Sequence, residues 1–163
     1  MGARIAALCG LGVLAALWVV LGRGLFGPLG SLTVIYALIL GLPILVLHAL
    51  IARALARTAR AGFVTRRATW LTVATAWLCF TVLGLTIPDR IDGVLHTLVT
   101  GSQQPGLGLA IGIANPMGII GIGLCVASLI LAVSDSRGPR KSEDEILDEA
   151  AAWSDTSRPR GHE

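Results

Sequence analysis

The stretch GLGLAIGIANPMGIIGIGLCVASLILAV, Gly106 to Val133, carries no charged residue and is interrupted near its middle by Asn115 and Pro116. As a single helix it would be about 42 Å long at 1.5 Å per residue, well over the roughly 30 Å of a bilayer's hydrocarbon core. Asn is a preferred N-cap and Pro is favoured at the first helical position, so the pair reads as a helix start. The reading is therefore a span of ordinary length over 116–133, with Gly106–Ala114 as an apolar ledge on the outer side. A transporter-like broken helix would want a matching break in the other half of the chain. Pro43 matches poorly, because it lies in the run LILGLPILVL, which has no polar neighbour.

Working outward, only 14% of the 163 residues are charged and 54% are apolar, against about a quarter charged in soluble domains. Further charge-poor stretches over 5–22, 29–52 and 68–87 are each long enough to cross a bilayer, and hydrocarbon leaves a spanning backbone no choice but a helix. The fold class expected is an all-α integral membrane protein with four transmembrane helices, residues 1–134. The first stretch is too long for a signal-peptide core and is read as a retained span. The connection RALARTARAGFVTRR places Arg53, Arg57, Arg60, Arg66 and Arg67 between two spans with no acid. Short Arg-rich loops stay in the cytoplasm, so both termini are expected there too, in the plasma membrane of a bacterium by the Arg-over-Lys and Ala/Gly/Leu bias. Arg53, Arg57 and Arg60 recur at i, i+4 and i+7, which predicts a second helix that continues past the bilayer with one basic face against headgroups. Nothing interleaves aromatics with these arginines as a nucleic-acid binder would.

An outer segment, 88–115, joins the third and fourth spans. Within it PDRIDGVLHTLV places Ile91, Val94, Leu95 and Leu98 on one side of a helix and Asp89, Asp92 and His96 on the other, predicting a short interfacial helix whose weak point is Gly93. The tail, 135–163, is acidic. Ser142 and Glu145 form a capping box for a short helix over 143–153, and the rest lacks the composition for a core and is read as disordered.

Chemistry needs ionisable groups, and the spans offer almost none. His48, near the cytoplasmic end of its span, is read as an interfacial histidine reaching the headgroups. Asp89, Asp92 and His96 have a spacing able to face a divalent metal, but no further His or Cys lies near, and a solvated face is the reading taken. Gly41 and Pro43 are read as a packing bend. Cys9, Cys79 and Cys125 lie inside apolar spans as packing residues. No Ser–His–Asp arrangement or phosphate loop is present, so no catalytic, cofactor or metal residue is assigned.

What the spans do offer is faces of small residues. Ala114, Gly118, Gly121, Cys125, Ser128 and Ala132 form one such face, and Thr65, Thr69, Thr72, Ala76, Cys79, Leu83 and Thr86 another; in lipid such faces exist to let backbones approach. They should meet, with Cys79 beside Cys125. The functional expectation is a non-enzymatic accessory or assembly subunit whose partners are the bilayer and a membrane protein or a second copy. A solute or ion pathway is the alternative, and a metal-dependent enzyme at the outer face a weaker one. The arginine map makes a direct prediction: in a Cys-free background an impermeant thiol reagent added from outside modifies Ser102→Cys and not Ser142→Cys. The reverse pattern would overturn the orientation.

Overall fold

The computed structural model describes residues 2–138, with side chains from residue 5 onward. Four helices long and apolar enough to cross a membrane dominate it: Ile5–Leu25, Thr33–Arg60, Arg67–Thr86 and Gly106–Asp135. In chain order, α1 is Gly2–Leu21, followed by a 3-10 turn Gly22–Leu25. Then α2 (Thr33–Tyr36), a π-helical turn (Ala37–Gly41) and α3 (Leu42–Arg60) stack end to end as one long helix. α4 is Arg67–Thr86, β1 and β2 are Asp89–Ile91 and Val94–His96, and α5 is Gly106–Asp135. The tail helix expected over 143–153 lies outside the described residues.

The helices form a ring in which α1 touches α3 and α4, and α5 touches the same two from the other side. The residues that fill it, among them Leu8, Val19, Ile44, Ile51, Val73, Phe80 and Leu83, point inward, while Leu14, Leu38, Leu71 and Ile119 stay exposed on the outside. An apolar rim around an apolar core is the pattern that lipid selects. One end of the ring carries residues 22–32 and 87–105 and is called the hairpin end below; the other carries 61–66 and 136–138 and is called the arginine end. On the last turns of α3, Arg53, Arg57 and Arg60 are exposed and Ile51, Leu55 and Thr58 buried, as their periodicity predicts.

Two expectations are corrected. α5 does not begin at Asn115–Pro116 as the span 116–133 required; it runs unbroken from Gly106 to Asp135 with Pro116 inside. The local start signal loses to the backbone: one interior proline removes one hydrogen bond, whereas a break in an apolar setting would free several. Gly112, four residues before the proline and with open space at its Cβ position, lies where a proline ring presses on the preceding turn. The helix starts instead at Gly106, where the Gln104 side chain accepts the Gly108 N–H at 3.2 Å. Second, residues 89–96 are not a helix, so the fold is not purely α. They form an antiparallel hairpin pairing Asp89 with His96 and Ile91 with Val94. Its two-residue turn, Asp92–Gly93, has φ of 50° and 82°, the doubly left-handed geometry that Asp-Gly favours.

The bend expected at Gly41 and Pro43 is the π turn. Pro43 has no N–H for the carbonyl four residues earlier, and the helix widens so that the Leu42 N–H bonds to the Ala37 carbonyl. Gly41 there faces Val20 of α1.

The longest seam joins α4 and α5. Ala114, Gly121, Cys125, Ser128 and Ala132 are buried against Thr69, Ala76, Cys79 and Leu83, so the two small faces do meet. The Ser128 hydroxyl reaches Thr72 Oγ1 at 2.8 Å across it. Gly121 lets α4 side chains pack onto the α5 backbone, for a Cβ there would lie 2.7 Å from the buried Phe80 ring and 3.3 Å from Cys79 Cβ; at Gly123 it would meet nothing within 4 Å. Thermal unfolding in mild detergent should accordingly show Gly121→Val destabilised by about 1–3 kcal/mol, the usual cost of overpacking, and Gly123→Val nearly unchanged. Equal effects would place the seam elsewhere.

Candidate functional site

At the hairpin end, the first acid in the chain is buried. Asp89 follows the last turn of α4, and its carboxylate reaches back under the start of α2. Oδ2 accepts the Gly30 N–H at 2.9 Å and the Thr33 hydroxyl at 3.0 Å, and Oδ1 accepts the N–H groups of Leu32 at 3.0 Å and Arg90 at 2.8 Å. Gly30 has to be glycine, since a Cβ there would collide with the carboxylate. Arg23, from the 3-10 turn, completes the cluster: Nη1 stands 3.5 Å from Asp89 Oδ2 and 3.5 Å from the Ile87 carbonyl, with side chains 7% and 2% exposed. The guanidinium carbon lies 5.2 Å from the centroid of Tyr36, whose hydroxyl donates to the Pro88 carbonyl at 2.8 Å.

Burial pushes the Asp89 carboxyl up, but the N–H donors of Arg90, Leu32 and Gly30 and the charge of Arg23 outweigh it and hold the group below its ordinary value. A carboxylate lowered on folding stabilises the folded state at all pH values above its unfolded value, and that contribution is lost as pH falls through the lowered one.

The arginine end repeats the arrangement. Asp135, the last residue of α5, accepts the Arg66 N–H at 3.1 Å and the Thr69 hydroxyl at 2.8 Å through Oδ2, and its Oδ1 pairs with Arg66 Nε at 2.7 Å. Each cluster is one buried aspartate against the start of another helix, with a first-turn Thr and an Arg around it. The helix dipole favours a negative charge at both places.

Between these ends a buried histidine ties two helices together. His48 is buried rather than interfacial: its ring is held at 2.8 Å from the Ile44 carbonyl through Nδ1 and at 2.8 Å from Trp77 Nε1 through Nε2. Because an indole N–H only donates, Nε2 accepts and Nδ1 carries the proton, donating to Ile44. The histidine is thus neutral and fully used in tying α3 to α4.

On the outside of the hairpin half, α2 and the π turn stand away from α5. They leave a groove of about 510 Å³ with Tyr36, Ile39 and Leu40 on one wall, Asn115, Gly118 and Ile119 on the other, and Leu83 and Ile87 among the lining residues. Asn115, read in the sequence as a cap, is an exposed side chain on this wall.

Asp89, Asp92 and His96 do not share one face. Asp92 is exposed in the turn, whereas Asp89 and His96 are cross-strand partners lining one pocket, with the Asp89 carboxylate buried in its ion pair. The solvated face expected for all three is corrected for Asp89. Arg23 and Asp135 had no assigned role in the sequence, one a loop arginine and the other the first residue of the tail. No family model, curated protein or solved structure matches the chain.

Asp89→Asn leaves Arg23 without its counter-charge and sets an amide against backbone donors. It should cost about 3 kcal/mol, in the range for a broken buried pair, and flatten the loss of stability on acidification below the ordinary aspartate value of 3.8. Asp92→Asn should stay within about 0.5 kcal/mol. Thermal midpoints followed against pH check both; similar behaviour of the two variants would refute the buried cluster.

Proposed function

We propose that this chain is an integral membrane protein of four spans, with both termini cytoplasmic in the cell membrane of a bacterium, and that it acts as a non-enzymatic accessory or assembly subunit whose hairpin-half groove receives a transmembrane helix of a partner protein. The observation that carries this reading is the groove itself. It is largely apolar and opens sideways between helices; the Tyr36 hydroxyl on its wall is taken up by the Pro88 carbonyl, and Asn115 stands exposed in an otherwise apolar span.

In lipid, burying apolar surface does not by itself bring helices together; close packing at small residues and interhelical hydrogen bonds do. Gly118 and Ala114 on the α5 wall permit close approach, and Asn115 offers a donor and an acceptor to a facing helix. The polar groups inside the bundle support the same reading. Ser128, Thr72, His48 and Trp77 bond to each other or to backbone carbonyls in short local sets, so they serve packing and lay down no polar stripe for a solute to follow.

A photo-crosslinking residue at Ile119 in the native membrane should give one discrete adduct, and the same residue at Leu71, exposed on another face, should not. Light scattering of the mildly solubilised protein should show a particle heavier than one chain, lost on Gly118→Phe. A monomer without adducts at Ile119 would contradict the proposal.

A further inference from the structure

The chain leaves the bundle at a fixed point. α5 ends at Asp135, and Gly138, with φ of 78°, turns the backbone in the left-handed form that closes many helices. The turn is seated on the 61–66 loop, for a Cβ on Gly138 would lie 2.7 Å from the Phe63 ring. Gly138 therefore lines, with Gly62, Phe63, Val64, Arg66 and Asp135, a pocket of about 420 Å³ at the arginine end. Whatever follows residue 138 starts in this pocket.

Two kinds of group stand uncovered around it. Val64, 86% exposed, is the most exposed large apolar side chain among the described residues. Arg57, Arg60 and Arg67 are exposed and have no ion-pair partner among the described residues. Asp135 is the one acid at this end among the described residues. It is buried and already paired with Arg66, so it does not balance the other arginines. Such a surface fits an acidic segment that carries an apolar stripe.

The sequence beyond the turn has that form. Glu143, Asp144, Glu145, Asp148 and Glu149 have no basic residue among them, and Arg140 and Lys141 before them offset only part of the charge. At helical spacing Ile146, Ala150 and Trp153 share one face, with Glu143 and Glu149 on its flanks. The connection over 139–142 reaches at most about 14 Å, and the helix that the capping box predicts adds about 16 Å. The hairpin end lies about 45 Å away along α5, so within its own chain the segment reaches the arginine end alone.

We propose that the segment 143–153 docks on the arginine end of its own chain, its apolar stripe over Phe63 and Val64 and its carboxylates against Arg57, Arg60 and Arg67. A short tether holds the segment at an effective concentration on the order of millimolar, which lets exposed ion pairs that are weak singly close together. The partner groove lies in the other half of the bundle, and neither proposal depends on the other.

The test is crosslinking of the full chain in phosphatidylcholine vesicles, in a Cys-free background carrying Ala61→Cys and Ala150→Cys. A short membrane-permeant bis-maleimide is added, and the linked peptide pair is followed by mass spectrometry beside the size of the product on a gel. A one-chain product should form. Its rate should fall at least several-fold with Glu145→Lys and Glu149→Lys together, and likewise in about 1 M salt, where the screening length is about 3 Å. Adding Arg57→Glu and Arg60→Glu to the reversed tail should restore it. A rate that ignores both charge reversal and salt would show tethered collision without docking, and a reversed tail that the arginine swap fails to rescue would remove the arginines as its site. A product of two-chain size would assign the segment to a second copy. Loss of the crosslink when phosphatidylglycerol is added to the vesicles would show that headgroups hold the arginines instead. Each of these four results overturns the proposal.

Discussion

A helix that begins inside or beside an apolar bundle leaves N–H groups with nothing to bond to, and in this chain two aspartates answer that constraint from outside the helix concerned. Asp89, leaving α4, takes the N–H groups that precede α2, and Asp135, ending α5, takes the N–H that precedes α4 and the hydroxyl of its first turn. Each therefore joins the end of one helix to the start of another that is distant in sequence. Asp89 thereby ties the hairpin and Arg23 to the start of α2, and Asp135 ties the end of α5 to the start of α4, closing the arginine end of the seam. An arginine at each cluster keeps the charge balanced, tightly at 2.7 Å for Arg66 and loosely at 3.5 Å for Arg23.

The two clusters differ in how the arginine is held. At the arginine end the ion pair is short and Arg66 also reaches Ser134, so the cluster is occupied with holding the bundle. At the hairpin end the aspartate is satisfied mainly by backbone, and Arg23 Nε and Nη2 are buried without a hydrogen-bond partner among the described residues. The same half of the bundle holds the sideways groove with Asn115. The proposed partner docking thus falls on the hairpin half of the molecule.

What the sequence made legible was whatever is long and charge-poor or repeats with a helical period. The four charge-poor stretches are legible from length and lack of charge, and the exposed line of Arg53, Arg57 and Arg60 and the small faces that meet at Gly121 and Cys125 from their period, all properties of the chain alone. Asn115–Pro116 misled because it is a sound local start signal, outweighed here by the cost of opening backbone in an apolar setting. Asp92–Gly93 was readable as a tight hairpin turn, but the apolar spacing of Ile91, Val94, Leu95 and Leu98 fits a helix as well, and over so short a run period does not separate the two. The polar contacts were not legible. His48 with Trp77, Arg23 with Asp89 and Arg66 with Asp135 are pairings between distant positions, and no local pattern marks which distant residue a lone polar side chain will meet.

The measurement closest to the central claim is amide hydrogen exchange by mass spectrometry on the full chain in detergent, comparing the native protein with Asp89→Asn and Asp135→Asn. If the carboxylates hold the helix starts, Asp89→Asn should speed exchange at least tenfold in peptides covering Gly30 and Leu32, and Asp135→Asn should do so in those covering Arg66, each leaving the other end protected. Unchanged protection at both starts, or the same diffuse loss throughout the bundle in either variant, would show that the helices are held by packing alone and that the two aspartates do not organise the fold.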